Sequence, residues 1–388
     1  MKRTTLALFI SILALFFRTY VAYHGPIEPD ESVYITAASQ YNLAARQGDW
    51  KQILDSTYNF EHPQFYKLVY AVGLIAGKPI LNTASIHGGN DIQTIAYWHH
   101  LFVLRMISVV FGAATVFLVS LINPLAGLFL AIDTYAIKYT SVIYLEALPA
   151  FTSLAALMAA LKSLKAYQIS SRNRKVWIGW LVLSSLLLGM AAASKYIYSL
   201  VGIVIIISII IQGWKHKSVS LIGLACWGLL TLAFFFIFDP ILWHNPLSEL
   251  VKSVNFNFNY SVGQDVKEAG YPFWQPIKWL MISIPQYAIT PAAFFLNKGD
   301  YFISADSFIF ILALVGLLDI FKENKPMFIW LVVGLVFLLL WNTKWPQYIL
   351  LILVPFCISA AYGFNFLHKR LIKWNNTLKE RRNLTTIG

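Results

Sequence analysis

The sequence predicts an all-α, polytopic transmembrane bundle, and three observations carry that prediction. Of 388 residues, 58% are hydrophobic and only 12% are charged, against about 25% charged in an ordinary soluble domain. The apolar residues gather in runs long enough to cross a bilayer, which takes about 20 residues of helix. The excess of basic residues, a net charge of +12, gathers in the connectors between runs. It reads as a topology signal and makes nucleic acid an unexpected partner. Cys226 and Cys357 lie inside apolar runs, where a thiol packs as a small hydrophobe.

Lys2 and Arg3 precede the apolar stretch Leu6 to Phe17. Arg18 interrupts its far end and no small-x-small cleavage site follows, so the stretch reads as a retained first span with a cytoplasmic N-terminus. Residues 24–97 break the hydrophobic pattern and hold seven of the eighteen acids: Glu28, Asp30, Glu31, Asp49, Asp55, Glu61 and Asp91. Within them Val33, Ala37, Tyr41 and Ala44 recur at helical spacing, which predicts an amphipathic helix on the membrane surface.

Parity decides the rest. The connector 162–175 carries Lys162, Lys165, Arg172, Arg174 and Lys175 with no acid, so it is assigned to the cytoplasm. Spans at 98–120, 124–140 and 145–164 reach it from an outer first loop only if the apolar run 63–81 does not cross, which makes that run a surface or re-entrant helix. Spans at 176–193, 196–213, 218–238, 305–321, 327–342 and 346–367 then bring the basic tail 368–388 to the cytoplasm. This requires that 276–296, interrupted by Pro276, Pro285 and Pro291, does not fully cross. The expectation is one transmembrane domain over 1–388 with ten to twelve spans, an elaborated outer loop at 24–97 and a second outer region at 239–300. No internal repeat is present.

The same parity puts Asp30, Glu31, Glu61, His62, Glu146, Lys195, Asp239 and Lys344 on the outer face. Asp30-Glu31 follows the rigid turn Pro26-Ile27-Glu28-Pro29. Adjacent carboxylates can divide proton acceptance and orientation, or hold a divalent cation; the plainer alternative is Asp30 as a helix cap. His62 and Lys67, about one and a half turns apart if Pro63 starts a helix, suit a phosphate, and a snorkelling lysine is the alternative. Glu146 precedes a span, where a carboxylate needs a polar cavity or the helix dipole. Lys195 and Lys344 interrupt apolar runs on the face that the charge rule depletes of cations, as anionic head-group ligands or interfacial anchors. Asp133 and Lys138 can pair with each other.

Taken in order, Asp30-Glu31-Ser32-Val33-Tyr34, His62-Pro63-Gln64-Phe65-Tyr66-Lys67, the Glu146 helix start, Gly189 to Tyr196, Asp239-Pro240-Ile241-Leu242-Trp243 and Thr343-Lys344-Trp345-Pro346-Gln347-Tyr348 resemble the dolichyl-phosphate-mannose protein mannosyltransferase and aminoarabinose transferase family of the GT-C superfamily, glycosyltransferase family 39-like. The resemblance runs from about residue 18 to 365. It implies inverting transfer of a hexosyl or pentosyl group from a polyprenyl-phosphate donor to an extracytoplasmic protein, lipid or glycan acceptor, in a prokaryotic plasma membrane. Asp30 matches the family's catalytic aspartate, a general base, and Glu31 would orient it or bind acceptor. His62 and Lys67 match a His-Pro-Pro-x-x-Lys pattern near the lipid phosphate, with Gln64 in place of the second proline. Lys195, Lys344 and Tyr348 would face the donor phosphate; Glu61, Glu146 and Asp239 would serve the acceptor or support these groups. No Gly-rich loop for a nucleotide sugar is present. Residues 239–275 are too few for the large luminal domain of the eukaryotic members, so the chain reads as a compact prokaryotic type. Two rivals remain at this stage: a secondary transporter, for which Asp133 would mark an ion path, and a non-catalytic lipid-binding subunit.

Overall fold

A computed structural model describes residues 3–55, 58–76, 95–169, 174–215, 221–284 and 305–385. Every regular element among them is a helix. The first is α1 (Arg3–His24), followed by α2 (Glu31–Gln47), α3 (Trp50–Leu54) and α4 (Phe65–Ala76) in the first loop. The spans α5 (Ile95–Ile122), α8 (Ala147–Ile169) and α9 (Arg174–Ser194) contain stretches long and apolar enough to cross a membrane, as do α1 and the last helix. The shorter α10 (Leu200–Lys215), α11 (Leu221–Phe238), α15 (Ala305–Glu323) and α16 (Lys325–Leu340) fill the remaining expected spans, and α17 (Leu350–Thr385) closes the chain. The molecule is an integral, multi-pass membrane protein.

Between α5 and α8 the expected span 124–140 is not one helix. Asn123 caps α6 (Pro124–Ile132) through Leu125 and Ala126 N–H, and Asp133, in extended backbone, ends it while capping α7 (Thr134–Tyr139) through Ala136 N–H. The two pieces are about 14 and 9 Å long, each well short of a 30 Å hydrocarbon core. Arg18 explains how the broken end is tolerated. Its guanidinium donates to Leu130 O (3.2 Å), Ala131 O (3.3 Å) and Thr140 Oγ1 (2.8 Å), so it caps the carbonyls left open at the end of α6 rather than snorkelling to the interface.

The run 63–81 is helical over 65–76, about 18 Å of described helix; residues 77–81 lie outside the described residues. So do 285–296 of the second doubtful segment, of which α14 (Gln275–Met281) is described, and Asp91, Arg172 and Lys217. On α2 the buried face is Tyr34, Ala37, Ala38, Tyr41 and Ala44, with Tyr34 and Ala38 completing it where Val33 was expected. It packs with Tyr66, Tyr70, Leu101, Leu104, Ile143 and Leu145 in a core of its own at one end of the bundle.

Close helix contacts hold the larger core. Trp227 Nε1 on α11 donates to Ser184 Oγ, and Ser185 Oγ on α9 donates to Trp227 O, at 3.1 Å each. Pro355 interrupts the hydrogen-bond ladder of α17, and the Leu351 carbonyl it leaves free accepts Trp330 Nε1 of α16 at 2.8 Å. In a bilayer no water can take that role. Parallel α15 and α17 meet backbone to backbone at Gly316 and Gly363: a Cβ on Gly316 would lie 2.6 Å from Gly363 N and closer still to Ser359 O. Gly316→Leu is therefore expected to cost about 1–3 kcal/mol, read as a lower unfolding midpoint of the purified protein in detergent.

Candidate functional site

The chain enters the site at the top of α1, where residues 25–30 turn into α2. Asp30 occupies the N-cap position of α2 but its side chain makes no capping bond, whereas Asp49, Asn123 and Asp133 all cap their helices. Its half-buried carboxyl lies in the field of Lys195 and Glu28 and within electrostatic reach of Tyr34, Tyr144 and Glu146. Burial raises its pKa above the usual carboxylate value, with Lys195 opposing and Glu28 adding to the rise.

Glu31, one residue on, is fully buried and fully engaged. Oε1 accepts Arg105 Nε and Ile143 N (2.8 Å each), and Oε2 accepts Arg105 Nη2 (2.6 Å) and Glu28 N (2.9 Å). Arg105 spends its remaining donors on Ala22 O (3.0 Å), Gly25 O (3.1 Å) and Pro26 O (2.6 Å). All four acceptor directions of the Glu31 carboxylate are thus taken within the chain. Among the described residues no three His, Cys, Asp or Glu side chains gather as metal ligands.

Opposite Asp30, Lys195 follows α9 and forms an ion pair with Glu146 at the head of α8. Its ammonium lies 5.1 Å from the Tyr348 ring, and both charged groups are buried. Burial pushes the Glu146 carboxyl up and Lys195 pulls it back; Glu146 Oε2 is buried with no hydrogen-bond partner among the described residues. The His62 ring stands 6.3 Å from that of Tyr34. Burial, with Lys195 and Lys67 nearby, holds it well below the usual imidazole value, so it is neutral at pH 7, a hydrogen-bonding group rather than a cation.

Two expected phosphate ligands are otherwise occupied. Lys67 is fully buried, and its ammonium donates to Asn59 O (2.7 Å) and His62 O (2.9 Å), closing the loop before α4. Lys344 donates to Leu339 O at 3.2 Å and to Trp341 O, capping the end of α16. Glu61 accepts Asn59 Nδ2 (2.6 Å), and its carbonyl accepts Ser253 Oγ and Asn257 Nδ2 of α12 (Pro246–Ser261), so it ties the first outer loop to the second. Lys138 pairs with Glu28 at 2.9 Å instead of with Asp133.

Gln64 makes a reciprocal clamp. Its backbone N–H donates to Asp239 Oδ1 (3.0 Å) while its side-chain Oε1 accepts Ile241 N (3.1 Å). A proline at 64 has no N–H to give. Arg105 is the functional residue that motif reading missed, and its signal was visible: a lone arginine inside the apolar span 98–120 calls for a partner.

No protein-family model matches the chain, and no curated protein does. Solved structures show the fold. ArnT from Cupriavidus metallidurans bound to undecaprenyl phosphate superposes with a TM-score of 0.59 at 15% identity, covering 93% of this chain and 60% of ArnT. Its apo form gives 0.57 at 16% identity, covering 95% of this chain and 62% of ArnT. The oligosaccharyltransferase AglB from Archaeoglobus fulgidus, in complex with an inhibitory peptide and a dolichol-phosphate, gives 0.55 at 11% identity, covering 97% of this chain and 52% of AglB. The chain therefore shares its fold with ArnT and AglB, and spans about three fifths of the length of ArnT and half that of AglB.

Two outcomes test this geometry. Lys195→Met leaves Glu146 buried and unpaired, a change that costs about 3–5 kcal/mol; adding Glu146→Gln is expected to restore most of the lost unfolding midpoint. Burial pushes Asp239 from 3.8 up to about 6, with the Gln64 N–H and Lys67 opposing. The folded chain holds this proton more tightly than the unfolded one, so the carboxylate costs stability as pH rises from 3.8 through about 6. Asp239→Asn, which can still accept from Gln64, should be more stable than wild type at pH 7.5, by up to about 3 kcal/mol, and the gap should narrow through pH 6 and close only towards pH 3.8.

Proposed function

We propose that the protein is an inverting glycosyltransferase that moves a hexosyl or pentosyl group from a polyprenyl-phosphate donor to a protein, lipid or glycan acceptor on the outer face of a prokaryotic plasma membrane. The observation that carries the reading is Asp30: a carboxylate at a helix start that leaves its cap unmade, sits near a buried Lys195–Glu146 pair, and is held in place by a saturated Arg105–Glu31 knot. The fold shared with ArnT, bound to undecaprenyl phosphate, and with AglB, bound to a dolichol-phosphate, supports the donor class.

In this scheme Asp30 takes the proton of the acceptor nucleophile as that atom attacks the anomeric carbon from the face opposite the leaving group. The bond between the anomeric carbon and the phosphate oxygen breaks, and the electron pair leaves with the polyprenyl phosphate. Lys195, aimed by Glu146, offsets the charge on that phosphate, and neutral His62 supplies a hydrogen bond. Lys67, Glu61 and the Gln64–Asp239 clamp shape the loop that carries His62. Tyr348 forms the wall beside Lys195, and Lys344 caps the end of α16. The outer-face assignment rests on the basic connector and tail.

Purified protein supplied with a labelled polyprenyl-phosphate sugar and candidate acceptors should release polyprenyl phosphate and label the acceptor. Asp30→Asn should lower the rate by about 10²–10⁴-fold with donor binding intact. Because Asp30 titrates above an ordinary carboxylate and the base must be ionised, the acid limb of kcat/KM should lie above pH 3.8. Full transfer by Asp30→Asn would remove the assigned base; uptake of a solute by proteoliposomes without any transfer would support a transporter instead.

A further inference from the structure

A cavity of about 390 Å³ opens at the end of the bundle opposite Asp30, where the proposed chemistry has no use for it. It lies between α8, α9 and α11, walled by Leu164, Tyr167, Trp177, Leu181 and Trp227, and its size falls in the range of about 300–1,000 Å³ common to ligand sites. The walls are almost wholly apolar. Ser163 donates its hydroxyl to Trp177 O at 2.7 Å, but the indole N–H of Trp177 is buried and has no partner among the described residues. The Tyr167 ring packs edge-on against Trp177 at 5.4 Å and helps to enclose it. Ile178 and Ile222, both on the rim, are 40% and 77% exposed, so the opening faces the surrounding bilayer.

The charges nearby are of one sign. Lys162, Lys165 and Lys175 flank the cavity, with no acid anywhere in 162–175. Lys162 Nζ lies 4.5 Å from the Trp180 ring, while Lys165 and Lys175 are exposed. A ligand that fits this lining and these charges has an apolar chain and an anionic head just beyond the boundary of the hydrocarbon. We propose that the cavity is a binding site for one anionic phospholipid of the leaflet at the basic end of the bundle. An acyl chain lies between α8, α9 and α11, and the phosphate meets Lys165 and Lys175.

The full chain, purified in detergent with equimolar phosphatidylglycerol and phosphatidylcholine of matched acyl chains, is read by native mass spectrometry. Wild type should retain one phosphatidylglycerol about tenfold over phosphatidylcholine. Lys165→Glu/Lys175→Glu, confined to exposed side chains, should abolish the preference without moving the unfolding midpoint. Ile178→Trp, which crowds the rim, should lose the retained lipid of either kind. Equal retention of both lipids by wild type, or unchanged retention by Ile178→Trp, overturns the site. Displacement of the phosphatidylglycerol one for one by undecaprenyl phosphate also overturns it, by giving the cavity to a carrier lipid.

Discussion

The bidentate contact between Arg105 and Glu31 is the constraint on which the outer end of this molecule depends. A buried ion pair adds little net stability, because desolvating two charges offsets their attraction. Its value here is positional. All five guanidinium donors and four carboxylate acceptor directions are engaged, and the partners come from the end of α1, the Pro26 turn, the start of α2, the middle of α5 and the loop before α8. Asp30 is therefore fixed on one side of Glu31, and the segment that carries Glu146 is fixed through Ile143. The loop residues that flank Asp30 cannot relax without opening a charged cluster that no water reaches.

A related pattern recurs away from the site. At two breaks inside the bundle a side chain from another helix takes up the exposed polar groups, Arg18 at the end of α6 and Trp330 at the carbonyl freed by Pro355, while Asp133 caps the start of α7 from its own N-terminus. In lipid these groups have no alternative partner. These breaks are thus tolerated within the bundle because side chains, two of them charged, are drawn into the protein interior.

Much of the fold was legible because its signals are local. Hydropathy marks the spans, and the uneven placement of lysine and arginine fixes parity, which by itself put Asp30, His62, Glu146, Lys195 and Asp239 at one end. The break at Asp133 escaped because an apolar run reads alike whether it forms one helix or two. The roles of individual charges were less accessible. Lys67 and Lys344 have the right residue type and location for a phosphate, yet their ammonium groups cap nearby carbonyls, a choice made by loop geometry that spacing cannot reveal. Glu28 takes Lys138, and Gln64 replaces a proline by making the clamp with Asp239, both through tertiary contacts across more than 100 residues of chain.

The separation between the members of the Arg105 knot also bears on how the protein is made. Glu31 precedes Arg105 by 74 residues and Ile143 by 112. At about 5–20 residues per second of synthesis, a nascent chain carries an unpaired Glu31 for roughly 4–15 s before its counter-ion exists, and longer before the Ile143 amide arrives. During that interval the carboxylate has only water to hold it at the membrane boundary. The Arg105–Glu31 knot is thus completed well after Glu31 has emerged, and a ribosome stalled between the first and fifth helices leaves the turn before α2 without the contacts that organise it.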